Sequence, residues 1–333
     1  MTDRLRVAVL YGGNSSEREI SLASGEVVFK HLDPAKFAAR LVDLRELLPG
    51  GTVDLAEFAR ATDVAFIALH GPGGEDGRLQ GLLELYGVPY TGSGVLASAL
   101  AMEKSVAKAI YRQAGLPVAR DLVFAAHEVR AMAASSAVAR VGAELGWPAV
   151  VKADNQGSTR GVQIARSPEE FGAAWEEAAH YGSAVLVEEF VAGREFTVPV
   201  LGGAAPEAFP VVEIVPKAAE FFTYEAKYAP GGSDEIVPAR IGAELTRRLQ
   251  DLGVAAHTAL GCWGVSRTDV LVSEDRGPVL LETNTIPGMT EGSLLPKSVK
   301  AAGWTFAQFA EKLIDWALER FPDAARPSPA AMR

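Results

Sequence analysis

Alternation of short apolar strands with amphipathic helices predicts an α/β protein, with a parallel-sheet unit at the N-terminus and two mixed α and β units after it. Three features carry this reading: two strand-turn-helix repeats in the first ninety or so residues, a second unit around residue 150 with two strands flanking a loop, and a strand-rich third region. Leu5 to Tyr11 is an apolar run that stops at Gly12-Gly13, and a helical pattern with Ile20, Ala23, Val27 and Val28 follows. Val64 to Leu69 repeats the plan, ending in the loop His70 to Gly77 before a helix through Leu79, Leu82, Leu83 and Leu85. Such alternation implies a parallel sheet covered by helices on both sides.

Pro89 to Gly94 interrupts the pattern and closes a first domain, residues 1–94. A long helix from Val95 to about Gln113, stopped by Gly115-Leu-Pro117, opens a second, residues 95–183. Within it, Trp147 to Ala153 and Val162 to Ala165 read as strands around the loop Gln156 to Gly161. Ser167-Pro-Glu-Glu170 then offers an N-cap serine, a proline at the first helical position and a glutamate three residues on. Strands at 184–191 and 195–201 begin a third domain, residues 184–321, which ends in a helix from Thr305 to about Arg320. Residues 322–333, rich in Pro and Ala, read as a flexible tail.

A chain of 333 residues suits two or three domains with sizeable cores, and 48% apolar with 22% charged residues is ordinary for a soluble protein. Cys262 is the single cysteine, so no internal disulfide forms, and a cytoplasmic location is the simplest reading. A formal net charge of -10 opposes broad affinity for nucleic acid or anionic membrane, so phosphate ligands must meet local cation clusters. No apolar run approaches the roughly 20 residues of a membrane span, and Met-Thr-Asp leads straight into a strand without a signal peptide's apolar region.

The most informative segment is Trp263 to Val272, then Ser273 to Gly277, then Pro278 to Thr285, which reads as a hairpin. With a loop of Glu274 to Gly277, or of Asp275-Arg276 alone, Asp269 faces Glu282 and Arg267 faces Asn284 on one surface of the sheet. An odd loop with a bulge would shift that register. Two bare carboxylates about 5 Å apart, at an effective dielectric near 20, repel by roughly 3 kcal/mol. A divalent cation removes that cost, and oxygen ligands without imidazole or thiolate suit Mg²⁺. An ordinary solvated Arg and Asp pair is the plain alternative.

Other candidates are weaker alone. The loop Gln156-Gly157-Ser158-Thr159-Arg160-Gly161 has turned amides that could cradle phosphate, yet it is not a Walker A sequence and reads equally as a hairpin loop. Lys104 and Lys152 are lone cations of the kind usually solvated. Phe221 to Asp234 has the length and polarity of a lid, here bounded as 217–235. Gly288 and Ser293, directly after the hairpin, are placed to meet a small substrate. Glu17 lies near a helix N-terminus, suited to the dipole or to a ligand ammonium. His70 ends a strand where open α/β sheets bind ligands. No His or Cys cluster suggests zinc, and no nucleophile elbow is found.

Assembled, these segments closely resemble the D-alanine–D-alanine ligases of the ATP-grasp superfamily up to about Phe321. The resemblance rests on Gly12 to Ser21, His70 to Gly81, Tyr90 to Gly94, Tyr224-Glu-Ala-Lys-Tyr228 and Glu282 to Thr290, in the family's order. It implies a three-domain ATP-grasp fold whose two α+β domains clasp ATP. Lys104 and Lys152 would touch the α and β phosphates and Lys227 the γ phosphate, with Gly157 and Ser158 in the phosphate loop. Glu188, Glu189 and Val191 would meet adenine, and Glu195 the ribose. Asp269, Glu282 and Asn284 would hold two Mg²⁺ ions, for which Mn²⁺ can substitute.

By the same resemblance, ATP phosphorylates the carboxylate of one D-alanine, and the amine of a second attacks the acyl phosphate, giving D-alanyl-D-alanine for peptidoglycan precursors. Arg267 and the Gly288 amide would stabilise the oxyanion. Glu17 would bind the first ammonium, Ser293 the second carboxylate, with His70 and Leu294 beside the substrate. Ser158 and Tyr228 would tie the closed lid to Glu17. A homodimer in the cytoplasm is implied. Arg160 stands where relatives commonly carry a small or aliphatic residue, and Glu189 where many carry lysine; the first alters phosphate-loop contacts, the second adenine-edge packing. The rivals are a D-alanine–D-lactate ligase, disfavoured by Tyr228 where its lid has histidine, another ATP-grasp carboxylate-amine ligase, and a nucleotide-binding regulator that has lost chemistry.

Overall fold

Three sheets organise the chain in a computed structural model that describes residues 4–131, 134–157, 161–217 and 232–322. Strand β1 (Leu5–Tyr11) leads through α1 (Arg18–His31) to β2 (Phe37–Asp43), and the short helices α2 (Leu44–Leu47) and α3 (Leu55–Arg60) lead on to β3 (Val64–Ile67) and α4 (Arg78–Leu85). These strands pair in parallel in the order β2-β1-β3, as the alternation requires. Glycine interrupts α1 because the helix lies almost on the strand: a Cβ on Gly25 would stand 2.4 Å from that of Tyr11.

The single helix expected from Val95 to about Gln113 is two, α5 (Val95–Met102) and α6 (Lys104–Gln113). Glu103 between them is extended, with φ -88° and ψ 96°. Asp154 causes the break from outside. Its carbonyl accepts from the Lys104 amide at 3.1 Å, and its carboxylate accepts from the Ser105 amide at 2.7 Å and hydroxyl at 2.6 Å. These contacts satisfy amides that a continuous helix would have bonded internally, so α6 starts where Asp154 meets it.

The second sheet comprises β4 (Asp121–Phe124), then, after α7 (Ala126–Ala131) and α8 (Ala134–Glu144), β5 (Ala149–Ala153), β6 (Val162–Ala165) and, after α9 (Pro168–Tyr181), β7 (Val185–Glu189). It is antiparallel in the order β4-β7-β5-β6. Phe124, Phe171 and Trp175 fill its core. Helix α9 begins at Pro168 as expected, but Ser167 makes no side-chain cap bond; Glu170 accepts from the Arg166 amide at 2.9 Å instead.

The third sheet runs from β8 (Arg194–Gly202) through β9 (Glu207–Ala208), β10 (Val212–Pro216) and β11 (Ser233–Ile236), then past α10 (Ala243–Ala259) to β12 (Gly264–Ser273) and β13 (Gly277–Asn284). Its order is β11-β10-β8-β12-β13, with β9 on β8. The chain closes with α11 (Leu294–Ala301) and α12 (Phe306–Arg320).

Packing groups these elements differently from their order along the chain. Strand β7, expected to open the third unit, lies inside the second sheet. Helices α5 and α6, expected in the second, bury Ala97, Ala107 and Tyr111 against Phe196, Val198 and Leu249 of the third. Phe309, Leu313 and Ile314 of α12 join the core of the first sheet. Periodicity gives each helix an apolar face but does not say which sheet will cover it.

Two buried titratable side chains of the third unit, Cys262 and His257, are held in their neutral forms by burial. Burial pushes the Cys262 thiol up to about 12, which fits a structural, unreactive cysteine. His257 is 1% exposed, with Nδ1 2.7 Å from Ser266 Oγ. Burial lowers its pKa to about 4, with the Cys262 backbone opposing. An unfolded histidine gains its proton below about 6.5, so between those values the unfolded chain binds more protons and stability falls as pH falls. Urea unfolding should lose up to about 1.4 kcal/mol per pH unit in this window from His257, with full stability above it. His257→Gln should flatten that slope; an unchanged slope would remove His257 as its source.

Candidate active site

Asp269 and Glu282 are Cα partners across β12 and β13, and Arg267 and Asn284 are partners two residues further. The pairing matches the sequence reading, but the loop does not. Ser273 pairs with Gly277, so three residues, Glu274 to Arg276, form the turn, and Gly277 takes φ +73°, as three-residue hairpins favour. Carried up the ladder, that odd loop would oppose Asp269 to Leu281. A bulge restores the match: Val270 pairs with Leu280 while Asp269 pairs with Glu282, leaving Leu281 as the extra residue. Leu281 and Glu282 therefore both line the cavity that Asp269 and Leu271 face from β12.

The electrostatics differ from the expected pair of bare carboxylates. Arg267 donates Nε to Asp269 Oδ1 at 3.1 Å and Nη2 to Oδ2 at 3.2 Å, and Thr197, the partner of Asp269 on β8, donates its hydroxyl at 2.5 Å. Glu282 Oε2 lies 3.1 Å from Lys104 Nζ, which also donates to the Gln156 carbonyl at 2.7 Å. Burial works against the Lys104 charge, yet Glu282 foremost, then Asp154 and Glu188, hold its pKa above the ordinary lysine value. Each acid thus has a cation from the chain itself, and repulsion alone does not demand a metal.

The donor chemistry still fits a hard cation. Asp269, Glu282 and the Asn284 amide offer oxygen, and Asn284 is held by accepting from the Ile286 amide at 3.0 Å. Among the described residues no group of three His, Cys, Asp or Glu side chains could hold a metal ion. An ion here would combine two carboxylates with neutral oxygens, the arrangement in which Mg²⁺ keeps water and phosphate as its other ligands.

A cavity of about 560 Å³ opens between the second and third sheets and brings together Lys104, Lys152, Glu188, Arg267, Asp269 and Glu282. Burial raises the pKa of Glu188, but Lys152 and Lys108 outweigh it and hold the carboxylate down at about 2. Glu189, Val191, Glu195 and Leu294 also line the wall. Glu189 turns its oxygens to the Arg120 amide and Nε, both at 2.8 Å, and to Arg276 Nη1 at 2.7 Å.

The small-substrate candidates lie beside this cavity. Glu17 sits between two glycine loops: a Cβ on Gly71 would stand 2.7 Å from its Oε2, and one on Gly157 3.2 Å. His70 is buried; Nδ1 is 3.0 Å from the Ile286 carbonyl and Nε2 2.9 Å from Ser24 Oγ. A carbonyl only accepts, so Nδ1 carries a proton; in the neutral ring Nε2 then accepts from the Ser24 hydroxyl. Ser24 also accepts from the Met289 amide at 3.4 Å, so this network fixes the loop bearing Gly288. A Cβ on Gly288 would stand 2.8 Å from Ser293 Oγ, which pairs with Thr290 Oγ1 at 2.8 Å. Burial and the nearby Glu17 raise the Glu75 pKa, against His70, which lowers it.

Ser158, Arg160, Lys227 and Tyr228 lie outside the described residues. Sequence reading missed Thr197, Asp154 and Lys108. Lys108 had a signal, one helical turn after Lys104 on the same face of α6; the other two act on residues far along the chain and leave no local pattern.

Known proteins match over the same extent. Residues 110–315 match the family described as D-ala D-ala ligase C-terminus, and residues 46–93 the one described as D-ala D-ala ligase N-terminus. A D-alanine–D-alanine ligase from Synechococcus sp. (strain JA-3-3Ab) is 41% identical over 332 residues, 98% of this chain and 99% of the relative. One from Desulforudis audaxviator (strain MP104C) is 47% identical over 318 residues, covering 95% and 99%. Among solved structures, a Bacillus anthracis D-alanine–D-alanine ligase complexed with ATP has TM-score 0.81 at 31% identity, covering 96% of this chain and 99% of that one. A D-Ala:D-Ser ligase from Enterococcus faecalis also has TM-score 0.81 at 31% identity, covering 95% and 100%.

The cap on α6 can be tested directly. Asp154→Ala should lower stability in urea by about 1 to 2 kcal/mol, and Asp154→Asn by less, since its amide oxygen still accepts from Ser105. A loss no larger than at an exposed control position would refute the cap.

Proposed function

The chain belongs to the D-alanine–D-alanine ligase family, and from that membership we propose which of its residues carry each step by which it joins two D-alanines at the expense of ATP. The enzyme is an ATP-dependent ligase; the D-alanyl phosphate intermediate and the role in peptidoglycan synthesis follow from the family. The observation that carries the assignment is the opposition of Asp269 and Glu282 across the bulged hairpin, in one cavity with Lys104, Lys152 and Arg267.

In this reading the second and third sheets clasp the nucleotide. Lys104 and Lys152 bind its phosphates and Lys227 joins them from the lid, while Gly157 and Ser158 supply loop contacts. Glu188, Glu189 and Val191 form the adenine wall and Glu195 meets the ribose. Asp269, Glu282 and Asn284 hold two Mg²⁺ ions, which when bound supply charge neutralisation at the phosphates. Glu17 orients the first D-alanine through its ammonium, with His70 fixing the loop beneath, and Ser293 and Leu294 receive the second. Arg267 and the Gly288 amide stabilise charge that develops on the carboxyl oxygen under attack. Ser158 and Tyr228 link the lid to Glu17 and exclude water from the acyl phosphate. A homodimer and a cytoplasmic location complete the reading; no described helix is long and apolar enough to cross a membrane.

Phosphate release from ATP is expected to require both Mg²⁺ and D-alanine, because the described residues of the cavity wall include no serine, threonine or cysteine nucleophile. Equal turnover without amino acid would count against ligation. Running the assay with L-alanine, D-lactate and D-serine separates the dipeptide ligase from its depsipeptide and D-serine relatives; turnover with D-lactate as second substrate at neutral pH would favour the depsipeptide rival. Arg267→Gln should lower kcat about a hundredfold to a thousandfold while nucleotide still binds. A kcat near that of the unaltered enzyme would remove Arg267 from the reaction.

A further inference from the structure

Lys108 is a charge for which the reading above has no task. It lies on α6 one turn beyond Lys104 and is fully buried. A buried ammonium must be paired, and this one is paired twice: it donates to Glu188 Oε1 and lies 3.0 Å from Asp121 Oδ2. Glu188 Oε2 is 2.5 Å from Lys152 Nζ, and Asp121 also contacts Arg112 at the surface. Charges of alternating sign therefore run inward from Arg112 through Asp121, Lys108 and Glu188 to Lys152. Glu188 and Lys152 line the cavity; Lys108 does not.

This order has a mechanical consequence. The terminal torsion of a glutamate is broad, and a lysine stem is flexible, so Glu188 and Lys152 alone could settle in several arrangements. Lys108 removes that freedom by fixing one oxygen of Glu188, which leaves the other to set where the Lys152 ammonium stands. Lys108 is itself held by Asp121 and by the packed helix α6, whose Ala107 and Tyr111 are buried against the third sheet. We infer that Lys108 is a positioning residue that, through Glu188, aims Lys152 at the phosphates of the nucleotide without reaching the cavity. The inference rests on the assignment of Lys152 as a phosphate ligand. A lysine that merely neutralised Glu188 would stabilise the fold and leave no mark on how phosphate is distinguished.

Calorimetric titration of the full-length enzyme with ADP and with adenosine tests it, alongside thermal midpoints. In Lys108→Met, ADP should bind about tenfold to a hundredfold more weakly, the size of a lost charge-assisted hydrogen bond, while adenosine binding holds. Lys108→Arg should keep most of the ADP affinity. Should Lys108→Met fail to fold, Lys108→Met/Asp121→Asn, which removes one buried charge of each sign away from the cavity wall, should show the same selective loss. Equal weakening of ADP and adenosine, or unaltered ADP binding in a folded variant, would overturn the inference. If the unaltered enzyme binds ADP no better than adenosine, the assignment of Lys152 fails first and takes the positioning role with it.

Discussion

The extra residue in β13 is the constraint on which the site depends. Strand side chains alternate, so a hairpin whose turn has three residues would put Glu282 on the face away from Asp269. Leu281 adds one position and turns Glu282 back toward the cavity. Arg267, Asp269, Glu282 and Asn284 then share a surface, with Thr197 bracing Asp269 from β8. A bulge beside functional residues is a common device for re-aiming one side chain, and here it changes which face a carboxylate serves.

Charge is organised on the same principle of paired placement. The chain carries -10 overall, yet the cavity wall gathers Lys104, Lys152 and Arg267. A polyphosphate therefore finds three cations gathered in one cavity wall, while the net negative charge of the chain opposes non-specific polyanion binding. Those cations are not loose in the cavity. Lys104 is set by the start of α6 and hence by Asp154, and Arg267 by Asp269 on the same strand. Preorganised charges of this kind need little rearrangement when ligand charge arrives.

Much of this was legible in the sequence, for reasons that also explain where legibility ended. The strands β1 and β3 announce themselves by apolar runs, interrupted only by Arg6 in β1, and the acid pair by alternation on both sides of a polar loop. Alternation nevertheless implies an even loop that the chain does not have; an odd turn and a bulge, each invisible to alternation, compensate one another. The break between α5 and α6 was hidden because the cap comes from Asp154, far along the chain. Likewise, the apolar faces of α5, α6 and α12 were readable, but the sheets that cover them were not. Local pattern carries element type and face; partner choice belongs to the assembled chain.

Glu189 ties two segments of the cavity wall together. A lysine at this position would sit among Arg120 and Arg276, whereas the carboxylate accepts from both. Arg120 is anchored in turn to the Glu144 carbonyl at the end of α8, at 3.0 Å, and Arg276 belongs to the turn of the β12-β13 hairpin. The acid and two arginines thus join strand β7 to the hairpin that carries Asp269 and Glu282. Such pairs contribute little energy, because Arg120 and Arg276 are 62% and 44% exposed. Their effect is on position. Beneath them Ala119, Val191 and Val279 form a small apolar seal between the same segments, and an ionic tie across its rim limits sliding of one sheet past the other. With the Glu189 oxygens committed to arginines, the adjoining wall presents the apolar side chains of Val191 and Phe190 to the cavity.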